Sequence, residues 1–340
     1  MTDWPFLLTP LAVLAILLLF RFVGCASILG IEDWEAGEGP SGYRKTVLDD
    51  NPVSYWRLQD KQSEEPPGPT TPNTPVSGPA GKAKDETGNN HGTYKAVIVQ
   101  PGAQFPDSPS APQPIGGPSL TLEAPGLLAQ GGDANTSLSV DGGYVEVPFS
   151  SSLLLKSFTV EAFVRPEWDP QETGLFRTVI ALNTVAPQKT FGFGIFAGPD
   201  PEAQPPGTGI DVWQVWLADG TNWIPIKDPN RDLALVDFTK TSYVAATYDD
   251  TTKKLNMYVY VGGVNQDLDL AHPVSDVTVA YSPVADQTKS LLIGMHRPPV
   301  GGALPVYHPF KGRIQEVAVY DKALTVGRCP LSRVCTALDL

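Results

Sequence analysis

The sequence predicts an all-β fold of two antiparallel sheets, preceded by one N-terminal transmembrane or signal helix. Two runs alternate apolar and other residues as strand faces do, with apolar members Phe158, Val160, Ala162 and Val164 in the first and Leu255, Met257, Val259 and Val261 in the second. The first run ends at Pro166, and Gly262-Gly263 after the second suits a two-residue hairpin turn. The 34 Pro and 32 Gly require many turns. We therefore expect no long helix after the N-terminal segment.

The first element is an apolar span from residue 5 to 23, interrupted only by Thr9 and Arg21. About 19 apolar residues can cross a bilayer as a helix. The following Phe22-Val23-Gly24-Cys25 is similar to a bacterial lipobox, which implies lipidation of Cys25. The residues before the span contain no basic side chain, whereas a secretory signal needs one. Residues 1–25 are therefore predicted as either an uncleaved membrane anchor or a lipoprotein-type signal.

The membrane side is indicated by two opposing features. Arg21, Arg44 and Lys45 all follow the span, which by the positive-inside rule favours a cytoplasm-facing domain. Cys329 and Cys335 could pair in the tail 327–340, leaving Cys25 as the odd cysteine, although two free thiols are the alternative. We expect a membrane-anchored, extracytoplasmic domain at the cell surface or in the periplasm, with the cytoplasmic orientation left open.

An acidic linker is predicted over residues 26–42, and the β-domain over residues 43–326. Further strands are expected around 53–58, 138–148, 191–196 and 210–217, with a turn at Asp141-Gly142. Pro-rich or Gly-rich stretches at 66–81, 101–125 and 198–209 are predicted as surface loops, because proline cannot donate to a sheet ladder.

Several segments of this domain resemble the LamG-like, concanavalin A-like lectin/glucanase family, also called the laminin G-type domain. They are Asn51–Leu58, Asp85–Tyr94, Ser157–Pro166, Tyr243–Asp250 and the closing Pro309–Leu324. The resemblance covers roughly residues 43–326 and implies a jelly-roll sandwich. It does not name a ligand, because this family includes lectins, enzymes and structural modules.

One structural Ca²⁺ is a further expectation from the resemblance, since jelly rolls of this kind often hold one. Asp85, Asn89 and Asn90 could supply oxygen ligands. The alternative is that this Asp-x-x-Gly-Asn turn uses the same side chains to satisfy its own backbone. Nucleic acid is excluded as a partner by the net charge of −13.

Catalysis is not predicted. The run from Glu167 to Glu172 matches the Glu-x-Asp-x-x-Glu spacing of retaining β-glucanases, but Pro166 and Pro170 would break the strand that must aim the carboxylates. The four histidines are scattered, and neither a Cys-x-x-Cys nor a Gly-x-Ser-x-Gly motif occurs. The sequence thus offers no directed nucleophile and no zinc ligand set.

Tryptophans are the candidates for ligand contact. Trp213 and Trp216 would point to opposite faces of one strand, so at least one should lie in the core. Trp168 and Trp223 adjoin predicted loops, and we expect them to be exposed ligand-binding residues.

These features predict a membrane-tethered, non-catalytic binding or assembly module, either a surface protein or an accessory subunit of a larger membrane-associated complex. The alternative is a carbohydrate-binding, lectin-like module, and a glycoside hydrolase is a third possibility. The expected partners are the membrane, through residues 5–23, and either a protein of that complex or a glycan.

Overall fold

The computed structural model describes residues 40–60, 75–97, 119–128, 136–169, 176–182, 191–199, 211–219, 223–226, 235–261, 275–283, 290–296 and 309–324. The predicted membrane span, Cys25, Cys329 and Cys335 lie outside these residues. The described elements are α1 (Pro40–Asp49), β1 (Ser54–Trp56), β2 (Pro75–Ala83), β3 (Gly92–Val97), β4 (Ser119–Pro125), β5 (Thr136–Asp141), β6 (Gly143–Val147), β7 (Phe158–Pro166), β8 (Arg177–Leu182), β9 (Phe191–Pro199), β10 (Asp211–Asp219), β11 (Trp223–Ile226), β12 (Ser242–Asp249), β13 (Lys254–Val261), β14 (Ser275–Thr278), β15 (Leu291–Ile293) and β16 (Lys311–Tyr320). Within them, no helix is both long and apolar enough to cross a bilayer.

The strands form two antiparallel sheets. Sheet A has the order β14-β13-β12-β7-β16-β5-β4, and β1 also pairs with β16. Sheet B has the order β11-β10-β9-β8-β15-β6-β3-β2. The predicted β-sandwich, consistent with a jelly roll, is confirmed. The chain changes sheets at Gly142, whose φ of 82° suits glycine, so the predicted Asp141-Gly142 turn joins β5 of sheet A to β6 of sheet B.

The main core lies between the sheets and contains the whole of the first predicted period-2 face and the first half of the second, against which Val259 packs partly buried. Phe158, Val160, Ala162 and Val164 of β7 are fully buried there, with Leu255 and Met257 of β13. Phe158 stacks on Phe193 of β9 with ring centroids 4.6 Å apart, which joins the two sheets directly. Burial of one face of each strand therefore fixes the register in which the strand pairs with its neighbours.

A second apolar cluster covers the outer face of sheet A. Its members come from α1, from residues 127–128, from the outward positions of sheet A and from the segment after β16: Tyr43, Val47, Tyr55, Leu127, Leu128, Phe163, Tyr243, Ala245, Tyr258, Tyr260, Ala318, Tyr320 and Leu324. Helix α1 was not predicted, and the linker was expected to extend to residue 42. Tyr43, Thr46 and Val47 are buried at helical spacing, so one helix face packs on the sheet.

Two expected loops are partly strands. Strand β2 occupies the end of the Pro-rich 66–81 segment and β4 the end of 101–125, each as the terminal strand of its sheet in the described residues. The β2 register shifts between Ser77 and Lys82, around Pro79, so proline sits where the ladder is interrupted. Terminal strands and bulges tolerate proline because they need fewer ladder hydrogen bonds.

A β-bulge in β16 lets this strand change partners. Lys311 to Ile314 pair with β5, whereas Val317 to Val319 pair with β1. The register with β7 shifts between Gln315 and Ala318, and Glu316 adopts a φ of 54°. The bulge thus turns a glutamate towards β1 within sheet A.

Candidate functional site

The predicted calcium turn is organised around the buried carboxylate of Asp85, which is 1% exposed. Its Oδ1 accepts hydrogen bonds from the backbone N–H of Tyr55 (2.8 Å) and of Thr87 (3.0 Å). Its Oδ2 accepts from the Thr87 hydroxyl (2.8 Å) and from the Asn90 backbone N–H (2.8 Å). Each oxygen therefore receives two donors, which uses both of its in-plane lone pairs.

The other two predicted ligands do not complete a cation site. The side-chain amide of Asn90 donates through Nδ2 to Ser54 Oγ at 2.6 Å. The backbone carbonyl of Asn90 accepts a hydrogen bond from Trp56 Nε1 at 2.8 Å. Asn89 is exposed. This donor set does not fit Ca²⁺, which needs oxygens with lone pairs turned to the ion. The geometry matches the alternative reading, a turn that satisfies its own backbone and ties it to β1.

Trp168 is not exposed, contrary to prediction. It is 2% exposed and lies between Phe238 and Phe310, with ring centroids at 5.3 and 5.5 Å. Its Nε1 donates to Asp211 at 3.2 Å, and the Arg177 guanidinium lies 4.9 Å from its ring. Burial raises the pKa of Asp211, although the Trp168 hydrogen bond and Arg177 oppose the rise. Trp168 is thus a core residue at one end of the sandwich, and it cannot stack on a ligand.

Among the described residues, Trp216 is an aromatic side chain on the outer face of sheet B. Trp213 of the same strand is 1% exposed and in the core, so the expectation of opposite faces is confirmed. Trp216 is half-buried and packs edge-on against Phe176 at 5.3 Å and tilted against Phe196 at 5.8 Å. We call this set, Phe176, Phe196 and Trp216, the aromatic patch; Phe196 is 3% exposed and supports the other two rings, which are half-buried. Trp223 begins β11, and the placement of its side chain lies outside the description.

Glycines of β9 allow the patch to lie close to the backbone. A Cβ added at Gly194 would fall 2.4 Å from the Phe196 ring, and one at Gly198 would fall 2.4 Å from the Phe176 ring. Both rings therefore occupy the space of the missing side chains. Any larger residue at either glycine would push a ring off the sheet.

A polar side chain holds Trp216 in place. Gln214 Oε1 accepts from Trp216 Nε1 at 3.2 Å. Gln214 Nε2 donates to the carbonyls of Gly198 (3.4 Å) and Pro199 (3.0 Å) on β9. The indole orientation is thus fixed by the sheet backbone, and an amide lies beside an aromatic ring.

The β-glucanase-like run begins where predicted, directly after a strand. β7 ends at Pro166, and Glu167 Oε1 accepts from Arg313 Nε at 2.7 Å. Asp169 is exposed, and residues 170–172 lie outside the description.

Two buried carboxylates on the outer face of sheet A were missed by the sequence analysis. Glu161 of β7 is 0% exposed and accepts from the hydroxyls of Tyr43 (3.4 Å), Tyr320 (2.8 Å) and Tyr243. Burial raises the pKa of Glu161 to about 7, although the three tyrosine hydrogen bonds lower it in part. Its cross-strand neighbours are Ala245 and Ala318, which leave room for the carboxyl group.

Glu316 in the β16 bulge is the second buried carboxylate. It accepts from Arg57 Nε (3.3 Å), Gln59 Nε2 (2.9 Å) and the Tyr55 hydroxyl. Burial raises its pKa, and Arg57 counteracts the rise. Glu316 thereby attaches β1 and the following residues to sheet A.

Comparison with known proteins identifies the family. A family model described as the concanavalin A-like lectin/glucanases superfamily matches residues 139–328, more than half of the chain. The chain belongs to this superfamily. No curated protein matches it in sequence.

Several solved structures are similar to this superfamily member at low identity. A Bacteroides ovatus protein, described as a candidate carbohydrate-binding protein, is 20% identical with a TM-score of 0.37 over 54% of this chain and 43% of its own. A SAP-like pentraxin from Limulus polyphemus is 12% identical with a TM-score of 0.34 over 51% and 68%. A Ruminococcus gnavus sialidase CBM40 bound to sialyllactose is 11% identical with a TM-score of 0.34 over 54% and 83%. The match thus spans less than half of the first of these chains, and such low scores carry no inference about a ligand.

Proposed function

We propose that this protein is a membrane-tethered, non-catalytic binding module that recognises a glycan through the aromatic patch of sheet B. The observation that carries the proposal is the half-buried Trp216 on the outer face, whose ring orientation is fixed by the buried amide of Gln214. Sugars offer apolar C–H faces next to hydroxyl groups, and sites that bind such ligands combine aromatic surface with a few fixed polar groups.

The patch is preorganised for binding. Trp216 is fixed by Gln214, and Gln214 is fixed by two carbonyls of β9. Phe176 and Phe196 rest against backbone at Gly198 and Gly194. A ligand would therefore lose little affinity to the ordering of protein side chains.

Absence of catalysis is supported by the position of the acidic residues. Glu167 follows the end of β7 and pairs with Arg313, and Glu161 and Glu316 are 0% exposed beneath side chains of other elements. None of these three described carboxylates is aimed at the aromatic patch. We expect no hydrolysis across a β-glucan panel, and activity that disappears in Glu167→Gln would contradict the proposal.

Glycan binding is tested by isothermal titration and array binding of the full chain in detergent. Trp216→Ala should weaken binding at least about tenfold, because truncating a central aromatic residue costs ~1–2 kcal/mol or more. Trp216→Phe retains ring surface and should lose less. Thr278→Ala, an exposed change on sheet A, is the control that should leave binding unchanged. Equal affinity of wild type and Trp216→Ala for every bound glycan would refute the assignment.

Docking to a larger membrane-associated assembly is the second candidate. It is favoured by β2 and β4, which end their sheets in the described residues after long Pro-rich segments. A terminal strand can pair with a strand of another protein. Co-purification that is lost when Val76 is replaced by Pro, while glycan binding persists, would favour this function.

The proposed location is extracytoplasmic, with the membrane contact made by residues 5–23. The apolar length of that segment supports the tether. Protease accessibility of the domain in cells with a permeabilised outer membrane and an intact cytoplasmic membrane tests the orientation, since only a cytoplasmic domain would be protected.

A further inference from the structure

Glu161 lies beneath α1, on the face of sheet A that points away from the main core. Three tyrosine hydroxyls from three different elements converge on its carboxyl group, namely Tyr43 of α1, Tyr243 of β12 and Tyr320 of β16. The group is 0% exposed. Among the described residues, no cationic side chain forms an ion pair with Glu161, and a buried carboxylate without such a partner is costly to ionise.

The cover over Glu161 is provided in part by α1. Tyr43 contacts both Glu161, at 3.4 Å, and Phe163, with ring centroids 5.2 Å apart. Val47 is fully buried in the same cluster. If α1 left the sheet, the Tyr43 hydrogen bond would break and water would reach the carboxyl group.

Helix α1 needs its packing on sheet A in order to remain helical. It has 10 residues, and helices shorter than about 12–15 residues are marginal in water without tertiary packing. Outside the cluster, it is held by the ion pair of Arg44 with Glu86 at 2.6 Å. Docking and helix formation are therefore coupled.

We propose that α1 is a proton-dependent latch, which closes over sheet A when Glu161 is protonated and loosens when Glu161 ionises.

The direction of the effect follows from the difference between the docked and undocked states. In the docked state, burial raises the pKa of Glu161 to about 7 from an ordinary 4.5. In the undocked state, water restores a lower pKa. The docked state therefore binds the proton more tightly, and the stabilisation is complete below the ordinary glutamate pKa and is lost as pH rises through about 7. Between these two pH values, the equilibrium constant for docking of α1 on sheet A falls by up to about tenfold for each unit that the pH rises.

The neighbouring charged groups do not reproduce this dependence. Burial raises the pKa of Tyr43 and Tyr320, so these phenols stay protonated throughout the window. Asp50, after α1, adds a negative charge that raises the pKa of Glu161 further. Tyr55 of β1 faces the same cluster, and burial raises its pKa as well.

Two other carboxylates need controls. Burial opposes ionisation of Glu86, but hydrogen bonds from Lys84 and Arg44 lower its pKa overall, so its ion pair is lost only at pH below the window. Glu316, whose pKa burial raises, faces β1 rather than α1. A substitution at Glu161 distinguishes the effect of this residue from effects of Glu86 and Glu316.

The test is amide hydrogen exchange of residues 44–49 in the full chain between pH 5 and pH 8, corrected for intrinsic exchange rates. In the wild type, protection of α1 should fall by about tenfold to a hundredfold from pH 5 to pH 7 and then level off. In Glu161→Gln, which keeps the shape without the charge, protection should be independent of pH. In Tyr43→Phe, which keeps the buried carboxyl group, the dependence should persist.

The latch proposal would be overturned if protection of α1 in the wild type did not change with pH. It would also be overturned if protection in Glu161→Gln fell with pH as steeply as in the wild type. A direct measurement covers the case in which Glu161→Gln does not fold. Infrared titration of the wild type should show a buried carboxyl group that titrates near pH 7. Its absence there, with all carboxyl groups titrating in the ordinary range, would also overturn the proposal.

Discussion

Replacing Asp85 by Ala should destabilise the protein strongly, although Asp85 is remote from the aromatic patch. The substitution removes four hydrogen bonds, of which those from the backbone N–H groups of Tyr55 and Asn90 are buried. A buried donor left unsatisfied costs ~1–3 kcal/mol, and the two bonds from Thr87 are partly exposed, so water can replace them. We expect a loss of about 4 kcal/mol in the free energy of unfolding, out of the ~5–15 kcal/mol typical of a domain.

Urea unfolding followed by circular dichroism measures this effect. Asp85→Asn is the matched variant, because it keeps the Oδ1 acceptor for Tyr55 and Thr87 but presents an N–H group to the Asn90 N–H. The free energy of unfolding of Asp85→Asn should fall by about half as much as that of Asp85→Ala, ~2 kcal/mol. A loss below about 1 kcal/mol in Asp85→Ala would refute the reasoning that this carboxylate organises the turn.

The same variants test calcium. Because both Asp85 oxygens already accept two hydrogen bonds, we expect the same unfolding midpoint in EDTA and in millimolar Ca²⁺. Stabilisation by Ca²⁺ that disappears in Asp85→Ala would instead establish a cation site at this turn.

Three further predictions concern stability and the membrane. Glu161→Gln should flatten the pH dependence of unfolding: the wild-type pKa of about 7 against an ordinary 4.5 corresponds to ~3 kcal/mol gained as pH falls through that interval, and urea titrations at pH 5 and 8 measure it. Gly312→Ala should cost ~2–3 kcal/mol in a thermal melt, because φ is +140° and the new Cβ would lie 2.2 Å from the Arg165 carbonyl, whereas an unchanged melting temperature would contradict that close approach. Deleting residues 1–26 should release a folded, β-rich protein from the membrane fraction, and a deletion variant that still sediments with membranes would show that another part of the chain binds them.

The sandwich could be predicted because its inward residues repeat with the period of a strand. Phe158 to Val164 and Leu255 to Met257 carry that signal without reference to any distant residue. Helix α1 could not be predicted as readily, because Tyr43, Thr46 and Val47 form little more than one helical turn. Their burial is decided by the sheet beneath them.

The candidate site was only partly predictable, for a related reason. Trp168 follows a strand next to Pro166, which suggested a loop, but Phe238 and Phe310 come from distant segments to cover it. Glu161 lies at an outward position of β7, where a glutamate normally meets solvent. Only the second layer formed by α1 and the tyrosines makes it a buried group, and no local pattern encodes that layer.

The change of partner along β16 has a consequence for the order in which the protein folds. Sheet A needs β16 to join β7 to both β5 and β1, and Tyr55 lies 261 positions before its partner Glu316. Such distant pairing is slow to form, because the closure of a long loop must precede any gain from the contacts. At synthesis rates of ~5–20 residues per second, roughly 15–50 s pass between the synthesis of β1 and that of its partner strand β16. The N-terminal segment therefore leaves the ribosome long before sheet A can be completed, and any chaperone that acts on this chain meets β1 without its partner strand.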